Sequence, residues 1–101
     1  MTADREVDIE GTTYLLRAEP PRTSLTDEAH TLWGFNVEVV RDGTPVCIKT
    51  CFVGRVTLQA RAPEVLEGTA EDIAVAVHGF AFDKVSESLA KGDLDDGLIF
   101  A

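Results

Sequence analysis

The sequence predicts an α+β domain: a curled antiparallel sheet of four to five strands packed against one long C-terminal helix, in the order ββ-loop-βββ-α. Three observations carry this expectation. Alternating apolar runs flank the dipeptides Glu10-Gly11 and Asp42-Gly43, which suit tight reversals between antiparallel strands. A segment from Thr69 to Gly92 has a capping residue, apolar residues at helical spacing and a glycine stop. A length of 101 residues, 45% of them hydrophobic and 27% charged, suits one hydrophobic core and one domain spanning residues 1–101.

The first hairpin is read from Glu6 to Ala18. With Glu10-Gly11 as the turn, Val7 lies opposite Tyr14 and Ile9 opposite Thr12, so Val7, Ile9, Tyr14 and Leu16 share one face. Glu19-Pro20-Pro21 ends the second strand, because proline has no ladder donor and restricts its predecessor. A loop runs from there to about Thr31, with a helical turn expected around Thr26 to Leu32 under a cap from Ser24 or Thr26.

The second hairpin has the stronger pattern. A two-residue turn at Asp42-Gly43 pairs Val39 with Val46, Val37 with Ile48, Phe35 with Thr50 and Trp33 with Phe52, all on one apolar face. The same register sends Cys47 and Cys51 to the opposite, solvated side. After Gly54, the alternation of Val56, Leu58 and Ala60 predicts one more strand, closed by Pro63.

Thr69 then caps a helix expected from about Ala70 to Lys91, with Glu71 and Asp72 at its positive end and Gly92 as its stop. At 100° per residue its apolar positions fall into two stripes: Ile73, Ala76, Val77 and Phe80, and nearly opposite them Val75, Phe82, Val85 and Leu89. Two stripes require two surfaces. The second stripe is therefore the candidate interface for a partner such as a second copy, the alternative being a kink at Gly79. The apolar tail Leu98-Ile99-Phe100 reads as an edge strand or a docking segment.

Composition narrows the function classes. Nine Lys and Arg against 18 Asp and Glu give a formal charge of −9, which repels a phosphate backbone and offers no basic stripe, so no nucleic-acid binding is expected. No window approaches 18 consecutive apolar residues, and the first eight residues lack a charged-then-apolar signal, so the expectation is a cytoplasmic protein with no membrane association.

Cofactor and metal chemistry are not expected. Cys47 and Cys51, four apart on one strand, would have α-carbons roughly 13 Å apart. A disulfide tolerates about 7 Å, and two sulfurs on one zinc ion lie within about 4.6 Å. His30 and His78 have no ligand spacing, and Asp93, Asp95 and Asp96 with Gly97 lack the remaining ligands of a calcium loop. No catalytic residue is assigned, since no nucleophile is placed beside His78 and no phosphate-cradling loop or nucleophile elbow occurs.

The order of strands followed by Glu67-Gly68-Thr69-Ala70-Glu71-Asp72-Ile73 at a helix start resembles the small sheet-plus-helix domain of HicB-type antitoxins, which block an RNA-cleaving toxin. That resemblance covers a handful of residues and implies a protein partner. Independently, charge and the second helix stripe indicate a non-enzymatic interaction module that self-associates and binds a basic protein. The alternative is a small-molecule-binding or catalytic domain whose pocket, between sheet and helix, is lined by Tyr14, Trp33, Phe35 and Phe52 beside His30.

Overall fold

The computed structural model describes residues 2–24 and 30–101. Strands β1 (Ala3–Ile9) and β2 (Thr12–Ala18) form the first hairpin, and a short β3 (Arg22–Ser24) comes next. Strands β4 (Leu32–Arg41) and β5 (Thr44–Gly54) form the second hairpin. Helix α1 (Arg55–Arg61), a 3-10 turn (Pro63–Glu67), helix α2 (Ala70–Ala90) and strand β6 (Gly97–Phe100) complete the chain. The predicted α+β class is therefore observed, as a six-stranded open sheet in the order β1-β2-β4-β5-β6, with β3 pairing beside β2 on the same edge of β4. All pairings are antiparallel except β5 with β6, so the sheet is mixed. The helical turn expected over residues 26–32 falls largely outside the described residues.

Both hairpins turn on two residues with positive φ: Glu10 at 51° and Gly11 at 84°, Asp42 at 52° and Gly43 at 75°. This is the primed turn whose twist matches that of the flanking strands. In the first hairpin, Val7 pairs with Tyr14 and Ile9 with Thr12, as the alternation predicts. The second departs from expectation.

Arg41 pairs with Thr44 and Val40 with Pro45, but then the ladder shifts and Val39 faces Cys47. Val46 is the extra residue of a β-bulge beside Pro45, a position where proline's missing donor is tolerated. One inserted residue reverses every later side chain. Cys47, Lys49, Cys51 and Val53 face inward, while Ile48, Thr50 and Phe52 face outward. The predicted pairs of Val37 with Ile48, Phe35 with Thr50 and Trp33 with Phe52 become Val37 with Lys49, Phe35 with Cys51 and Trp33 with Val53.

The segment after Gly54 is helix α1 rather than the predicted strand. Its alternation misleads because Leu58 alone is buried, and a single inward anchor satisfies a helix as well as a strand. The Arg55 amide donates to the Thr31 carbonyl at 2.9 Å, which fixes where the chain leaves the sheet.

Helix α2 begins with a reciprocal capping box, in which Thr69 Oγ1 accepts from the Asp72 amide while Asp72 Oδ2 accepts from the Thr69 amide. It ends in a Schellman arrangement: the Gly92 amide donates to the Leu89 carbonyl and the Asp93 amide to the Ser88 carbonyl, with Gly92 at φ 83°. The helix runs unbroken through Gly79. Its buried stripe is Val77, His78, Ala81, Phe82, Val85 and Leu89, packed on Leu16, Phe35, Val37 and their neighbours of the inner sheet face.

Candidate functional site

The candidate interface predicted on α2 is not available to a partner. Phe82, Val85 and Leu89 are the inward stripe, buried in the core, and only Val75 is exposed, at 62%. The helix does meet two surfaces, but one chain supplies both and the stripes regroup, with Val77 of the first joining Phe82, Val85 and Leu89 against the sheet. The sheet takes the first surface, and α1 with the 3-10 turn takes the other, where Val65, Leu66, Ile73, Ala76 and Phe80 pack at the core's margin and the Arg61 guanidinium lies 4.9 Å from the Phe80 ring centroid. The periodicity was legible; the identity of the second surface was hidden because α1 read as a strand.

The predicted pocket is also dispersed. Tyr14, Trp33 and Phe35 are buried on the inner face, while Phe52, turned outward by the bulge, lies on the other side of the sheet. His30 is exposed at the end of the loop. Among the described residues, Phe35 and Phe52 line one open depression, and Tyr14, Trp33 and His30 are not part of its lining.

Groups suited to chemistry are occupied by the fold. His78 Nε2 lies 2.9 Å from the Glu19 carbonyl oxygen, which can only accept, so the ring proton sits on Nε2. Its Nδ1 is buried without a hydrogen-bond partner among the described residues. Phe35 meets the ring edge-on at 5.0 Å and Phe82 stacks at 6.1 Å. Both cysteines are free and buried, the reverse of the expected outward placement, and the bulge is the reason. Burial raises the Cys47 thiol, with Lys49 working in the opposite direction, and burial pushes Cys51 up to about 12.

Between the two thiols lies a residue that sequence reasoning missed. Lys49 is 1% exposed on the inner face, and its Nζ donates to the Asp95 carbonyl at 2.6 Å and meets Asp93 Oδ1 at 3.1 Å. An ammonium so enclosed requires such partners. The backbone amide of Asp95 and then Lys49 hold the Asp93 carboxyl below the usual carboxylate range. Asp96 Oδ1 accepts from the Ile48 amide at 2.7 Å. The acidic run at 93–96, too poor in ligands for a calcium loop, is thus the clasp that carries the chain from α2 onto the edge of β5.

The side of the sheet away from α2 presents the remaining surface. No described helix lies on this face. One rung across it runs Asp4, Arg17, Glu38, Ile48, and the next carries Asn36 and Thr50, whose side chains hydrogen-bond at 2.8 Å. A third runs Arg22, Gly34, Phe52, Phe100. Phe52 and Phe100 stack at 5.3 Å, and Gly34 permits this: a Cβ there would lie 3.2 Å from the Phe52 ring. Ile48, Leu32, Leu98 and Phe100 are all exposed. Two open depressions of about 390 and 410 Å³ lie along this face, meeting at Glu19 and Asn36. Its carboxylates are Asp4, Glu6, Asp8, Glu19, Glu38 and Asp96, against the cations Arg17 and Arg22. The face is acidic towards β1 and apolar towards β6.

No family model, curated protein or solved structure matches this chain. The antitoxin likeness therefore rests on the order of strands and residues 67–73. No helix of the described residues is long and apolar enough to cross a membrane.

Proposed function

We propose that this chain is a non-enzymatic, acidic interaction module of the cytoplasm that presents the helix-free face of its sheet to a basic protein partner. The observation that supports the reading is an apolar strip, Ile48, Leu98 and Phe100 exposed around a half-buried Phe52, lying beside an excess of carboxylates. A monomeric domain rarely leaves such a strip open, and the acidic flank selects a surface that is itself cationic and apolar. The reading as a binding module follows from the state of the reactive groups: the His78 proton is held by a backbone carbonyl, Lys49 is clasped, and the Cys51 thiol stays protonated. Two thiols left free suit a reducing compartment.

The test begins with the immobilised chain, a host lysate and mass spectrometry, followed by rebinding of the purified captured protein. That protein should be basic, and its affinity should fall about tenfold or more, 1.4 kcal/mol per decade, with Ile48→Lys or Glu38→Lys. It should also weaken with added salt. Val75→Lys, on the exposed back of α2, should leave it unchanged. Equal binding by all three variants would remove the sheet face from consideration.

A further inference from the structure

We infer that two copies of this chain associate edge to edge through β6, in antiparallel register with Ile99 facing Ile99 on the two-fold axis, so that their sheets become one continuous sheet. This deepens the interaction-module reading by doubling the acidic and apolar face, but it rests on a different surface, the open edge of the sheet.

Strand β6 is the end of the strand order and, among the described residues, pairs on one side only. The Ala101 amide donates to the Phe52 carbonyl and the Ala101 carbonyl accepts from the Gly54 amide, so Ala101, and with it Ile99 and Gly97, turn their backbone groups towards β5. Leu98 and Phe100, two residues apart from each other and one from these, direct their amides and carbonyls outward. The same two residues are 64% and 68% exposed. An edge with unpaired donors and acceptors and uncharged apolar side chains is a template for another strand.

The two edges of the sheet differ sharply in charge. β1 carries Asp4, Arg5, Glu6 and Asp8 in seven residues, the usual protection against pairing. The side chains of residues 97–101 carry none. For a chain of charge −9, this edge without charged side chains is where a second copy meets least repulsion.

Register follows from parity and a hydrogen-bond count. A two-fold axis perpendicular to the sheet keeps the outer faces on one side, so outward-facing Leu98 and Phe100 must pair with outward-facing residues, and their outward-pointing amides and carbonyls must meet one another. Leu98 or Phe100 set against its own copy meets these conditions but closes only two backbone hydrogen bonds within residues 97–101, whereas pairing Leu98 with the partner's Phe100, and Phe100 with the partner's Leu98, closes four. Ile99 then meets its own copy in the non-hydrogen-bonded position on the axis. On the outer face, the Phe52–Phe100 stack continues into the partner's Leu98.

Sedimentation equilibrium of the full chain at high micromolar concentration should show a dimer. Leu98→Lys should raise its dissociation constant about tenfold or more while leaving the thermal melt and circular dichroism of the monomer unchanged. Ile99→Cys, made together with Cys51→Ala because Cys51 faces residue 99 across the ladder, should form an intermolecular disulfide on mild oxidation, since non-hydrogen-bonded pairs have α-carbons about 4.5 Å apart. Leu98→Cys should not, since its own copy lies on the diagonal, about 7–8 Å away. A wild-type chain that remains monomeric, or a dimer indifferent to Leu98→Lys, would overturn the edge pairing while leaving the basic-partner reading intact, because Ile48→Lys and Glu38→Lys test that separately. A dimer that crosslinks through Leu98→Cys instead would overturn the register.

Discussion

The two hairpins share a turn and differ in the residues just beyond it. Each reverses on an acidic residue and a glycine at positive φ. In β1–β2 the alternation after the turn is uninterrupted, and each residue falls opposite the partner that counting assigns. In β4–β5 the count fails after two pairs, because Val46 bulges beside Pro45. A turn dipeptide therefore fixes where a chain reverses, while the neighbouring strand positions fix which face the strand buries. One of those positions holds a proline, and proline is where a ladder is weakest.

The comparison breaks most completely if the inward side of β5 is charged. Val53 is fully buried and Ile48 is exposed, the opposite of what an unshifted register would give. Val53→Asp puts an unpaired carboxylate into the core, a cost comparable with the roughly 5–15 kcal/mol by which an ordinary domain is stable, so the expected outcome is loss of a cooperative melt, while Ile48→Asp should leave the melt nearly unchanged. The reverse ranking would restore the unshifted register. Deleting Val46, by contrast, leaves Val39 opposite Cys47 in an unbroken ladder and should preserve the fold.

A smaller effect reads the register through the thiols. With the bulge present, both cysteines are buried, so a disulfide reagent at pH 8 should find no rapidly reacting thiol in the native chain and two in denaturant. Rapid native labelling would restore the outward placement. Cys51 also predicts a decline at alkaline pH. Its folded value is raised from the ordinary 9.0 to about 12, so its stabilising contribution is complete below pH 9. As pH rises, the unfolded chain ionises first, and the contribution is lost progressively until pH 12. That is about 4 kcal/mol across the window. Cys51→Ala should flatten this decline in denaturant titrations between pH 9 and 11.

What could be read from the sequence divides along the same line. The termini of α2 were legible because caps are local: Thr69, Asp72 and Gly92 act within six residues of the helix ends they define. The first hairpin, the reversal at Asp42-Gly43 and a strand in the tail were legible for the same reason. The inward face of β5 was not, since the energetic reason for it is distant. Lys49 is acceptable inside only because residues 93–96, more than forty positions later, return to clasp it. Likewise α1 could not be told from a strand by Val56, Leu58 and Ala60, because its role, covering the flank of α2 beside Phe80, depends on a helix later in the chain. The exposed face with Ile48 and Phe52 was hidden as a direct result, because the unshifted register placed both residues in the core.

The turns themselves offer the finest test of the feature the hairpins hold in common. Gly11 and Gly43 have φ of 84° and 75°, and a Cβ added at either meets nothing within 4 Å, so substitution tests backbone strain without a clash. An L-residue in this conformation costs roughly 1–2 kcal/mol. Gly11→Ala and Gly43→Ala should therefore lower stability by similar amounts, about 1 kcal/mol each, in urea unfolding with unchanged slope. Equal losses would place the difference between the hairpins wholly at Val46. A loss at Gly43 several times larger would mean that the turn takes part in setting the bulge, so that the Asp42-Gly43 reversal and the inward face of β5 form one cooperative unit.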